Sequence, residues 1–127
     1  MRNLLTTTVF WLHFFVVAFW IGLLFIPEFI LPGKTAFHFY LTLGIIGHQF
    51  LWGAVIYPWT KQYRMVCTLT TFMQLLRGHP LSTVDNYGHS WTKEFIKRLG
   101  WGIPERGATV LTLAIFVIST FQFFFFR

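Results

Sequence analysis

Five histidines, one cysteine and four acidic residues are the side chains on which acid–base, nucleophilic or metal chemistry would chiefly rest in this 127-residue sequence. Two of the histidines stand inside long apolar runs, His13 in the first and His48, followed by Gln49, in the second. Polar groups at membrane depth are costly, so they mark candidate sites. If the two runs form antiparallel helices, His13 lies about five to nine residues and His48 about nine residues from the same end, which sets both roughly 8–14 Å deep. Two imidazoles at matched depth on facing helices have the ligand pattern of a haem b or another metal centre. A neutral histidine bonded to a neighbouring helix is the commoner role, and two ligands do not make a zinc site, which takes four.

The other candidates read as structural. Glu28 and His38 flank the turn between the first two runs, where they could pair with each other or with headgroups, and interfacial anchoring is the expected role. His79, Asp85 and His89 fall in turn-like sequence with nothing to fix their geometry. Cys67 has no neighbour of obvious base character at helical spacing, so a packed, inert thiol is expected. A single cysteine also excludes an intramolecular disulfide. No phosphate loop, nucleophile elbow, zincin or paired-carboxylate pattern occurs, and no catalytic residue is expected.

The composition decides the solvent. Hydrophobic residues make up 55% of the chain and charged residues 11%, far below the roughly 25% charged residues of soluble domains. Seventeen phenylalanines and six tryptophans would aggregate if exposed to water. The net charge of +6 invites a nucleic-acid reading, but the aromatics sit in apolar runs and not in a basic groove where bases could stack. Basic residues beside apolar spans read anionic lipids and set topology instead. No nucleic-acid partner is expected.

Crossing a bilayer takes around 20 apolar residues as a helix. Three segments qualify, at about 8–26, 36–57 and 107–126, so the fold class is an all-α membrane protein of one domain with three transmembrane helices. The first is read as a retained span and not a signal peptide, because it ends in Pro27-Glu28 without a small-residue cleavage site. Pro32-Gly33 makes the first turn, Pro58 is expected to end the second span, and Pro104-Glu105 to open the third. With three spans, Arg2, Lys61, Arg64, Arg77, Lys93, Lys97, Arg98 and Arg106 share one side, against Lys34 and Arg127 on the other. That asymmetry predicts an inside N-terminus and long loop, in a bacterial inner membrane or, as the alternative, a mitochondrial one.

Two amphipathic helices are expected in the long loop. Over about 64–77, Met65, Val66, Leu69, Phe72, Met73 and Leu76 form one face, and Cys67, Thr68, Thr70, Thr71 and Gln74 the other. This stretch is too short to span, so an interfacial or re-entrant helix is predicted, with a polar, uncharged face suited to protein contact. A fourth span there would invert the C-terminal side. Over about 90–99, Trp91, Phe95 and Leu99 form a stripe opposite Lys93, Glu94, Lys97 and Arg98, and Gly100 is the stop. Trp91, Lys93, Lys97 and Arg98 are the expected contacts to anionic lipid headgroups. Ala18 and Gly22 on the first span, with Gly44, Gly47 and Gly53 on the second, permit close helix packing. Trp11, Trp20, Trp52 and Trp59 read as belt or packing residues.

Leu12-His13, a histidine at the start of the second span, Trp52-Gly53 and Cys67-Thr68-Leu69-Thr70 running on to Arg77 resemble one family of small bacterial inner-membrane proteins, catalogued only as a domain of unknown function. Phe95-Ile96 and Pro104 fall about where that family's short amphipathic segment and last span begin. The sequence departs from the family in having Thr68 where it has a proline, in lacking the glutamate that follows, and in a longer stretch between His38 and Cys67. The resemblance implies membrane placement and topology and supplies no activity. The function expected is an accessory, non-catalytic subunit at the periphery of a larger membrane complex, one that converts energy being a candidate, with other membrane subunits as partners. The alternatives are a small haem b or metal-binding redox protein using His13 and His48, and a homo-oligomeric small transporter.

Overall fold

The computed structural model describes residues 1–83, 91–104 and 106–126. The turn expected at Asp85-Asn86-Tyr87-Gly88, together with His89, Ser90, Glu105 and Arg127, lies outside the described residues. Among the described residues there are five helices and no strand: α1 (Arg2–Gly22), α2 (Lys34–Thr60), α3 (Thr68–Leu76), α4 (Trp91–Arg98) and α5 (Gly107–Phe125). Of these, α1, α2 and α5 are long and apolar enough to cross a membrane.

The boundaries differ from expectation for local reasons. Helix α1 begins at Arg2 and not near Thr8, and Thr6, Thr7 and Thr8 each donate a hydroxyl to the carbonyl four residues earlier, which satisfies those hydroxyls within the helix. It stops at Gly22, and hydrogen-bonded turns carry the chain to Pro27 and on to Gly33. Pro58 does not end α2, which continues to Thr60. A proline that close to the C-terminus disturbs only the last turn. The true stop is Lys61, a non-glycine residue with φ of 57° whose N–H bonds to the Tyr57 carbonyl at 2.8 Å. Helix α3 is shorter than its predicted 64–77, and residues 61–67 are not helical. Gly100, with φ of 83°, follows α4 as its stop.

The packing has two centres. At one, α1 lies on α3, and Val9 and Phe10 pack with Met73 of α3 and Trp91 of α4. Phe14, Val17, Leu76 and Phe95 complete that cluster. At the other, α2 packs on α5, with the Phe39 and Phe123 rings stacked at 4.6 Å. The α1–α2 contact is the smaller one and includes a buried hydrogen bond from Trp20 Nε1 to Thr42 Oγ1 at 2.9 Å. The end of the molecule bearing Arg2, Lys61 and Arg106 is its loop side, and the end bearing residues 23–33 is its turn side.

Candidate functional site

After Lys61 the chain reverses and runs back along α2. Tyr63 donates its hydroxyl to the Phe50 carbonyl at 3.1 Å, and the Val66 N–H reaches the Gln49 carbonyl at 3.4 Å. The Arg64 carbonyl passes so close to Gly53 that any Cβ there would collide with it. This return brings Cys67 and Thr68, the start of α3, level with His48 on α2 and His13 on α1.

The first N–H groups of a helix have no acceptor within it. His48 supplies one. Its Nε2 lies 2.8 Å from Thr68 Oγ1 and accepts from the Thr68 N–H at 3.5 Å, so the ring acts as a side-chain cap. Accepting at Nε2 places the neutral imidazole's proton on Nδ1. Further along α3, Thr71 Oγ1 accepts from Trp52 Nε1 at 3.1 Å and donates to the Cys67 carbonyl at 3.4 Å. Thr70, Thr71 and Gln74 are buried, while Phe72 and Leu75 are exposed. The polar face of α3 therefore meets protein, and the protein it meets is its own chain.

His13 is buried, with its ring stacked on Trp91 at 4.7 Å and Nε2 3.8 Å from Cys67 Sγ. The two histidines share a depth but not a ligand position: one Nε2 faces Cys67 and the other faces Thr68. A haem iron between them would need both Nε2 atoms turned to one point, so these residues as placed do not fit that group. Among the described residues no three His, Cys, Asp or Glu side chains gather at metal-binding distance.

The residues expected at lipid headgroups divide. Trp91 is only 2% exposed. Its ring packs on Phe10, His13 and Phe95, and its Nε1 donates to the Phe10 carbonyl at 3.1 Å, satisfying the indole inside the protein. Arg98 lies with its guanidinium 4.1 Å from the Phe10 ring centre and bonds Glu94 at 2.9 Å. Lys97 is exposed and Lys93 half-buried. Glu94 is the hub: besides Arg98 it takes a bidentate pair from Arg77, at 2.7 and 2.8 Å, which ties the end of α3 to α4. The Arg77 guanidinium, then that of Arg98, holds the Glu94 carboxyl below its usual range. The Arg77 carbonyl at the α3 C-terminus accepts in turn from Arg2 at 3.3 Å.

Of the small residues, Gly53 serves packing within the chain, whereas Gly22, Gly44 and Gly47 have open space where a Cβ would stand and Ala18 is exposed. Glu28 and His38 do not pair with each other. The two Glu28 oxygens accept the backbone N–H groups of Gly33 and Thr35, capping α2, and His38 is fully buried. The Thr35 N–H, ahead of that of Gly33, holds the Glu28 carboxyl below its ordinary value. Sequence reasoning missed the pairing of Arg77 with Glu94 and the roles of Lys34 and Gln122. A polar amide in the phenylalanine-rich end of the third span was the signal for Gln122.

Compared with family models, with curated proteins and with solved structures, the chain matches none of them.

Proposed function

We propose that the protein is an accessory, non-catalytic subunit of a larger membrane assembly, docked through the outward face of α2 that carries Gly44, Gly47 and His48. The observation that carries this reading is the exposed imidazole of His48 near the middle of a span-length helix, beside two glycines with open space around them. Polar side chains in spanning helices belong against protein, and glycines let a partner backbone approach closely. His48 already caps α3 with Nε2, which leaves its Nδ1–H to donate across such an interface.

In this reading the three long helices span a bacterial inner membrane. The eight basic residues on the loop side keep that side in the cytoplasm. Helix α3 is re-entrant, starting at the depth of the two histidines and returning to the loop side, and α4 rests at headgroup level with Lys93 and Lys97 toward anionic lipid. The family resemblance of Cys67–Thr70 and Trp52-Gly53 agrees with this placement. The partners are other membrane subunits, an energy-converting complex being one candidate.

The test is the native mass of the tagged protein in gentle detergent, with co-purifying proteins identified. The expected result is a large assembly with stoichiometric partners, released by Gly47→Leu but not by a lipid-facing control such as Val117→Leu. Gly47 has room for a side chain within its own fold, so release would report docking and not misfolding. A protein that runs alone in both forms would sink the reading, and a small homo-oligomer dissolved by Gly47→Leu would reassign the face to self-association.

A further inference from the structure

At the turn side, the first residue of α2 is a buried cation. Lys34 is 3% exposed, and its Nζ makes one side-chain hydrogen bond, to Gln122 Oε1 on α5 at 3.3 Å. That partner is a neutral amide at the long end of hydrogen-bonding distance. Glu28 is close enough for its charge to be felt, but its oxygens are taken up by the α2 N-terminus, and among the described residues no carboxylate pairs with Lys34. Gln122 uses its other end, Nε2, on the Leu24 carbonyl at 3.3 Å, which fixes its oxygen toward the lysine.

Lys34, Thr35 and Gln122 line an open pocket of about 690 Å³ together with Glu28, whose two carboxylate oxygens are engaged by the Gly33 and Thr35 N–H groups, a size that accommodates a small-molecule ligand. Much of the rest of the wall is apolar, and Phe25, Phe29 and Phe126 stand exposed around it. A buried cation with one weak partner is expensive unless something anionic completes it, while aromatic walls reject a bare, hydrated anion. Both demands are met by a molecule with an anionic head and an apolar tail.

We propose that this pocket binds the phosphate or carboxylate head of an amphiphile, the head on Lys34 Nζ and the first methylenes of the tail against Phe25, Phe29 and Phe126. Thr35 adds a hydroxyl beside the head, and Gln122 positions the ammonium without neutralising it. The site lies at the opposite end of the molecule from the basic residues of the loop side.

The full-length protein in an uncharged detergent is titrated with dioleoyl phosphatidylglycerol, oleate, dioleoyl phosphatidylcholine and inorganic phosphate, and bound ligand is counted by native mass spectrometry. One equivalent of phosphatidylglycerol or oleate is expected to stay bound, with phosphatidylcholine weaker and inorganic phosphate absent. Which of the two anionic probes is retained names the source of the head. Lys34→Gln should lower retention about tenfold, the worth of a charge-assisted hydrogen bond, and Lys34→Arg should restore most of it. If Lys34→Gln fails to fold, the double change Phe25→Ser, Phe29→Ser at exposed positions reads the tail contact instead, again as a loss of retention. Equal retention by the wild type and by whichever of these variants folds would overturn the proposal, as would binding of inorganic phosphate as tight as that of the tailed probes.

Discussion

A methyl group at position 53 would meet the Arg64 carbonyl oxygen, whereas one at position 44 would meet nothing. Gly53→Ala should therefore lower stability by about 2 kcal/mol, by overpacking a site whose neighbour is backbone. Gly44→Ala should raise it by about 0.5–1 kcal/mol, because alanine loses less chain entropy in a helix. Thermal melts of both in one detergent make the comparison. His48→Ala should cost about 1 kcal/mol, the usual worth of an N-terminal helix cap, and faster amide exchange at the start of α3 would show it. That His13 and His48 matter was legible, because polar rings in apolar runs stand out. Their orientation was not. The reversal that inserts Cys67 and Thr68 between them turns on Lys61, a lysine in a left-handed conformation three residues beyond the proline expected to end the span.

At the scale of elements, the link between α3 and α4 is a carboxylate whose ionised form is favoured in the fold. The folded pKa of Glu94 is below its ordinary value of 4.5, so its contribution is present above that pH and is lost as the pH falls through the folded value. Acidification from pH 7 toward 3 should release α4 from α1, seen as a change in fluorescence as Trp91 leaves the Phe10–His13 cluster. Glu94→Gln should show that change already at pH 7, and a double-mutant cycle with Arg77 should give a coupling of about 1 kcal/mol. The helical spacing over 64–77 pointed to a helix with two faces, but burial crosses both: Thr70, Thr71 and Gln74 are buried, and so is Met73. What no periodicity encodes is that residues 61–67 leave the helix and bond back to α2, through contacts such as Val66 to Gln49. In the same way the Trp91 stripe was visible, but whether lipid or α1 receives it depends on a neighbour far away in sequence.

For the whole molecule, three helices are long and apolar enough to cross a membrane, and if all three do, Lys61 and Arg106 face one side of the bilayer and Phe29 the other. In a Cys67→Ser background, Lys61→Cys and Arg106→Cys should react with a membrane-impermeant maleimide from the same side, and Phe29→Cys only from the opposite side. A four-span chain would separate Lys61 from Arg106. The three helices long and apolar enough to cross a membrane were legible because length and apolar content set them. The pairing of α2 with α5 was not, since apolar helices of similar composition do not state their neighbours.

That pairing bears on how the protein is made. Helix α5 is made after the other four, yet it supplies Gln122 to Lys34 and the Phe123 ring that stacks on Phe39. Until it is made, the lysine of α2 lacks its amide partner. A chain stalled before residue 107 should then linger with the insertase or be destroyed, whereas the same fragment with α5 expressed separately should be rescued.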